Sequence, residues 1–217
     1  MIGALSTSLR GAASAQAMVD HAANNLANLN TTGYKKTRVL LQEGSTNNGQ
    51  TGSGSEVAAT PRNFSNGSLL STGGSMDYAI NGEGFFQVTM EDGSTAYTRD
   101  GSFHKNASGQ LVTGQGLVVQ GLDSSGKPAQ LARFANPEGL NDIGQNLFLP
   151  TDASGAAEAG TAGQNGFGTV AQGYLEGSNS DEAESVVDMI IGQRLYEANL
   201  TALKTASEMA KEINRLA

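Results

Sequence analysis

What most constrains this chain is where its helix breakers fall. All 4 prolines and 23 of the 29 glycines among its 217 residues lie between Thr46 and Gly173. The two ends are therefore free to run as long helices, and the centre is suited to short strands and tight turns. An α+β fold follows, with long N- and C-terminal helices pairing as a coiled coil around an all-β central domain. The expected boundaries are 1–41 for the N-terminal helix and the motif behind it, 42–60 for an extended linker, 61–173 for the β domain and 174–217 for the C-terminal helix. Two low-complexity stretches, Gly44–Ser55 and Ala153–Gly168, are expected to be mobile or extended, the second as a flexible part (153–168) of the β domain.

The first helix is read from its period. Leu5, Ala12, Val19 and Leu26 recur every seven residues, and Ser8, Ala15, Ala22 and Leu29 interleave at an offset of three. This narrow seam of small residues suits close helix packing. Spanning Gly3 to Asn30, such a helix is about 40 Å long and too thinly apolar to stand alone. Gly33 is its expected stop.

The last helix is stronger. Asn179 is its expected N-cap, with Glu182 three residues on. Acidic Glu184 and Asp188 lie early, Lys211 and Arg215 late, each sign favoured by the helix dipole. Val186, Met189, Tyr196, Leu200, Leu203, Ala206, Ala210 and Ile213 trace one stripe; Val187, Ile190, Ile191 and Leu195 widen its start. From Asp181 to Leu216 it would run about 54 Å. Neither helix has a helical partner in the centre, so each is expected to pair with the other and with copies in neighbouring molecules.

The centre reads as strands spaced about ten residues apart: Met76–Ile80, Phe85–Met90, Thr95–Arg99, Ser102–His104, Leu111–Thr113 and Leu117–Gln120, with turns at Asn81-Gly82, Glu91–Ser94 and Asp100-Gly101. A fragment from about Pro61 to Gly168 is expected to be a monomeric β domain.

Composition excludes several functions. Lys+Arg 13 against Asp+Glu 21 gives a net charge of -8, with no basic concentration, so nucleic acid is not the expected partner. No apolar run approaches the ~20 residues of a membrane span. Zero cysteines remove disulfides and thiolate sites. His21 and His104 are too far apart in sequence to suggest a metal site, and no Asp-x-Asp loop is present. Gly52-Ser53-Gly54 lacks the strand that a nucleophile elbow requires, and Gly114-Gln115-Gly116 lacks the third glycine of a dinucleotide loop. No catalytic, cofactor or metal residue is assigned. An exported glycan-binding or glycan-cleaving protein is the alternative of another class, with Glu83, Glu91 and Asp92 as its available acids; a shed assembly scaffold is a third. Asn24, Asn25 and Asn28 crowd one end of the first helix, where buried amides demand partners.

These asparagines open a resemblance. The run Ala23-Asn24-Asn25-Leu26-Ala27-Asn28-Leu29-Asn30-Thr31-Thr32-Gly33-Tyr34-Lys35-Lys36 resembles the N-terminal signature of bacterial flagellar rod and hook proteins. Ile80–Val88, Tyr97–Phe103, Gly109–Thr113, Gln172–Asn179 and Met189–Asn199 continue it in the family's order, over both ends and most of the centre. The Gly33-Tyr34-Lys35 ending and Gln193-Arg194-Leu195-Tyr196 are most similar to the distal rod type, with the proximal rod type next; the segment Leu41–Asn63 is shortened against that type.

The resemblance implies a structural subunit of the basal-body rod rather than an enzyme. Such a subunit binds no cofactor, leaves the cell through the flagellar type III export apparatus without a cleaved signal, and polymerises in the periplasm into a helical tube. Its partners would be copies of itself, other rod and hook subunits and the bushing rings around the rod, with no membrane insertion. The expected assembly interface comprises Leu5, Ala12, Val19, Asn24, Asn25, Leu26, Asn28, Leu29, Lys35, Lys36, Met189, Arg194, Tyr196, Leu203 and Ile213. Basic Lys35, Lys36 and Arg38 are expected to face acidic Glu182, Glu184 and Asp188 of another subunit and so set the axial register.

Overall fold

A computed structural model describes residues 2–45, 51–122 and 130–216. It divides into two compact units, one formed by 1–27, 37–62 and 181–217, the other by 28–36 and 63–180.

The first unit holds α1 (Ile2–Ala27), the strands β1 (Leu40–Ser45) and β2 (Thr51–Ala59), and α2 (Glu182–Leu216). The helices pair along the small-residue seam: Ala12, Ala15 and Ala22 of α1 and Ser185, Gly192 and Ala206 of α2 are buried. Close approach needs glycine at Gly192, and Gly11 faces the end of the Asn199 side chain. A Cβ on Gly192 would lie 2.8 Å from Val19 Cγ2, and one on Gly11 would lie 2.5 Å from Asn199 Oδ1. α2 begins at Glu182, capped by Asp181, whose Oδ1 accepts the Glu184 N–H at 2.9 Å. The cap is thus Asp181 and not Asn179.

β1 and β2 pair antiparallel, with Leu41 opposite Val57 and Glu43 opposite Ser55. Much of the expected linker is therefore a hairpin; residues 46–50 lie outside the described part. The hairpin rests on α1, where Ser14 Oγ donates to the Ser55 carbonyl at 3.0 Å. Its backbone ladder, which needs no side-chain pattern, explains how so polar a segment is held.

The second unit is β-rich. Its strands are β3 (Leu69–Ser71), β4 (Tyr78–Asn81), β5 (Phe86–Thr89), β6 (Thr95–Thr98), β7 (His104–Lys105), β8 (Leu111–Val112), β9 (Val118–Gln120), β10 (Gln130–Arg133), β11 (Asn141–Gly144), β12 (Leu147–Leu149), β13 (Glu158–Thr161), β14 (Thr169–Gln172) and β15 (Tyr174–Glu176). Seven of them form one sheet in the order β11-β12-β6-β5-β9-β8-β7, and β4–β14, β3–β15 and β10–β13 pair separately. The six expected strands are present as β4 to β9.

Side chains alternate across a strand, so adjacent Phe85 and Phe86 enter different cores. Phe86 packs with Tyr78, Ile80, Val88, Phe103 and Leu131. Phe85 joins Tyr97, Phe134 and Phe148, with Phe64 edge-on to Phe85 and Phe148 at 5.3 and 5.2 Å. In the stretch expected to be flexible, Glu158–Thr161 is a strand on β10, and Phe167 is buried in the first core. This unit also takes in 28–36 and 169–180, so a 61–168 fragment would lack β14, β15 and the segment around Lys35.

Candidate assembly surface

Within the second unit the N-terminal signature meets the approach to α2. The Gly33 N–H donates to the Glu176 carbonyl at 2.8 Å, and Gly33 adopts the left-handed φ of 67°. The Lys36 N–H donates to Asn179 Oδ1 at 2.7 Å, while Asn179 Nδ2 donates to the Asn63 carbonyl at 2.7 Å. Asn179 therefore ties two other segments and is not available to cap the helix.

At the centre of this junction lies a buried ion cluster. Lys35 Nζ donates to Glu176 Oε1 at 2.7 Å, and to the Ser65 carbonyl at 2.7 Å. Arg99 reaches Glu176 Oε2 at 3.4 Å and the Gly82 carbonyl at 2.9 Å, with its guanidinium 5.2 Å over the Phe85 ring. The Lys35 and Glu176 side chains are 0% exposed and that of Arg99 3%. Burial lowers the pKa of Lys35 and of Arg99, and the Glu176 carboxylate pulls each back up. Two cations around one carboxylate make Glu176 the group whose charge keeps the cluster tolerable.

This overturns the charge-register expectation for Lys35. A lysine sealed inside its own unit offers no charge to a neighbouring molecule. Lys36 keeps a half-buried side chain, but its backbone N–H is committed to Asn179.

The asparagines separate likewise. Asn25 is buried and clamps one residue, its Nδ2 donating to the Thr37 carbonyl at 2.8 Å and its Oδ1 accepting the Thr37 N–H at 3.0 Å. His21 Nδ1 lies 2.9 Å from Thr37 Oγ1 beside that clamp, and burial lowers its pKa. Asn24 is exposed and donates back to the Asp20 carbonyl; half-buried Asn28 accepts from the Thr31 hydroxyl. Asn25 is thus an internal tie, which its place among the asparagines at the end of α1 did not distinguish from an interface.

The paired helices divide the remaining candidates by face. Leu5, Val19, Leu26, Met189, Tyr196 and Leu203 are half-buried and Ala12 is buried; Leu29, which belongs to the second unit, is half-buried there. Ile213 is exposed, and Arg194 is exposed with Glu197 at 3.5 Å. What α1 leaves open is the other side of α2. Val187 and Ile190 are 52% exposed, Ile191 44%, Leu195 43% and Met209 53%. The sequence showed Val187, Ile190, Ile191 and Leu195 as a broadening of one stripe and gave no sign of Met209; only the pairing of α2 with α1 separates the covered part from the open part. Apolar side chains in such a row along a helix mark a surface that is covered in use.

Chemistry elsewhere is sparse. Among the described residues no group of His, Asp and Glu is arranged to hold a metal ion, and no helix is long and apolar enough to cross a membrane. Two of the acids of the glycan reading have partners in the structure. Glu83 lies 4.0 Å from Arg133, and Asp92 closes its own turn by accepting the Ser94 hydroxyl and N–H, which hold its carboxyl below the usual range. A carboxyl so held is a poor general acid.

Three family profiles match in order along the sequence: "Flagella basal body rod protein" over 5–35, "Flagellar hook protein FlgE/F/G D1 domain" over 79–162 and "Flagellar basal body rod FlgEFG protein C-terminal" over 171–216. The flagellar basal-body rod protein FlgG of Borreliella burgdorferi is 38% identical over 262 aligned positions, covering 100% of this chain and 99% of that protein. FlgG of Bacillus subtilis is 32% identical with the same coverage. The hook protein FlgE of Salmonella typhimurium is 33% identical over 82% of this chain but only 41% of its own length. Alignments of about 260 positions against 217 residues mean that the rod proteins carry segments this chain lacks. Likeness of this extent, end to end and with both terminal helices inside the matched regions, places the chain in the FlgG family of flagellar basal-body rod proteins.

Proposed function

We propose that this protein is a structural subunit of the flagellar basal-body rod, of the distal type, which polymerises through its paired terminal helices into the tubular drive shaft. The observation that carries this reading is the open apolar side of α2 from Val187 to Met209, on a helix already paired along its other side. Covering a half-exposed branched side chain contributes on the order of 1 kcal/mol, so a row of them gives each subunit a strong reason to associate. A contact between different faces of successive copies does not close on itself and builds a helical filament.

On the same reading the protein works without catalysis, meets other rod and hook subunits at the ends of its segment, leaves the cell through the type III export apparatus with no cleaved signal, and stands in the periplasm inside the bushing rings. The test is an epitope-tagged version in purified basal bodies. Many copies per particle, confined to the rod, are expected; absence from the rod or one or two copies per particle would refute the assignment.

A further inference from the structure

Three Asn-Gly pairs lie among the described residues, at 66–67, 81–82 and 165–166. In such a pair the backbone nitrogen of glycine can attack the carbonyl carbon of the asparagine amide. The attacking nitrogen loses its proton, a new bond to that carbon closes a five-membered imide, and the bond from the same carbon to the amide NH2 breaks to release ammonia. Water then opens the ring to aspartate or isoaspartate. Whether this occurs depends on whether the glycine N–H is free.

In two of the pairs it is not. The Gly67 N–H donates to Glu176 Oε1 at 3.0 Å, inside the buried ion cluster. The Gly82 N–H donates at 2.8 Å to the amide oxygen of Asn66, whose nitrogen donates to the Gly82 carbonyl at 3.1 Å in the amide orientation that satisfies both. That exchange also immobilises the Asn66 amide.

The third pair differs at the glycine nitrogen. Residues 163–166 are exposed, and the Gly166 N–H has no hydrogen-bond partner among the described residues. Asn165 sits in the left-handed region at φ 50°. Arg133 donates through an NH1 proton to the Asn165 backbone carbonyl oxygen at 3.4 Å. That oxygen belongs to the same peptide group as the Gly166 nitrogen, so it carries the negative charge when the nitrogen is deprotonated. Arg133 is held in place by Glu158 at 3.0 Å, Glu83 at 4.0 Å and the Phe167 ring at 5.0 Å. A positioned cation at the atom where charge develops lowers the barrier to forming it.

We propose that Asn165 is a site of spontaneous deamidation in the folded protein, promoted by Arg133, and that Asn66 and Asn81 are protected by the fold.

The full-length protein is incubated in mildly alkaline buffer, folded or in urea, and the conversion of each asparagine is followed by peptide mapping with mass spectrometry. In the folded protein Asn165 should convert at least roughly tenfold faster than Asn66 and Asn81, the scale of protection that one hydrogen bond on the attacking N–H provides. In urea the three rates should converge. Equal rates in the folded protein, or the same ranking in urea, would overturn the proposal. Arg133→Gln should slow Asn165 roughly two- to fivefold in the folded protein, the scale of a partly exposed charge contact, and leave its rate in urea unchanged. Arg133→Lys, which keeps the cation, should retain most of the rate. Continued slow conversion of Asn66 and Asn81 in the variants reports that the fold survives. An unchanged Asn165 rate in Arg133→Gln, or an equal fall in both variants, would remove the role of Arg133.

Discussion

Replacing Glu176 by glutamine tests whether the β-rich unit depends on a single carboxylate. The change keeps shape and volume and preserves an oxygen to accept the Gly67 N–H, so nearly all of its effect is electrostatic. It removes the negative charge that both Lys35 and Arg99 bind, although their side chains are only 0% and 3% exposed. Removing one partner of a buried pair costs about 3–5 kcal/mol. Against a typical total of about 5–15 kcal/mol, that is a large share of the unit's stability. Buried Tyr34, Tyr78 and Tyr97 all lie in this unit and there is no tryptophan, so near-ultraviolet circular dichroism under urea reports mainly on it. With a urea slope of about 2 kcal/mol per M, the midpoint should fall by about 2 M. Adding Lys35→Met should restore part of the loss, since one of the two buried cations is then gone; the two changes should be non-additive by about 0.5–3 kcal/mol. A loss below about 1 kcal/mol for Glu176→Gln, or strict additivity, would refute the reasoning.

Two further outcomes are expected in the helical unit. Burial holds the His21 pKa below 6.5. Between that lowered value and 6.5 the unfolded state binds more protons, so stability should fall as pH drops through 6.5 and level off below the folded value. Helix melting at about pH 7.5 and 5.5 should show this loss, and His21→Gln should reduce it; an identical loss in the variant would contradict the assignment. Asp181→Ala removes the carboxylate that caps α2 and should cost about 1 kcal/mol in helix melting, whereas an unchanged melt would mean that the cap contributes nothing.

The elements with a local signature were legible in the sequence. The seven-residue spacing of Leu5, Ala12, Val19 and Leu26 and the stripe from Met189 to Leu203 are periodic, and the turns at Asn81-Gly82 and Glu91–Ser94 punctuate β4 to β6. The features that depend on distant partners were not. Lys35 and Glu176 are 141 positions apart, and nothing near either residue distinguishes a buried pair from two surface charges. Asn179 and Asp181 are both good caps by residue type; the choice is made by Lys36 and Asn63, which occupy the Asn179 amide. The strand at Glu158–Thr161 is written in backbone hydrogen bonds to β10, and its Gly- and Ala-rich composition hides it.

The central claim is that the open side of α2 finds its cover in other copies of the protein. Sedimentation velocity over rising concentration, comparing the intact protein with Ile190→Ser/Ile191→Ser, tests it most directly. These side chains are 52% and 44% exposed, so the variant should keep its helical circular dichroism and stay monomeric while the intact protein associates. An intact protein that remains single throughout, or a variant that associates equally well, would contradict the claim.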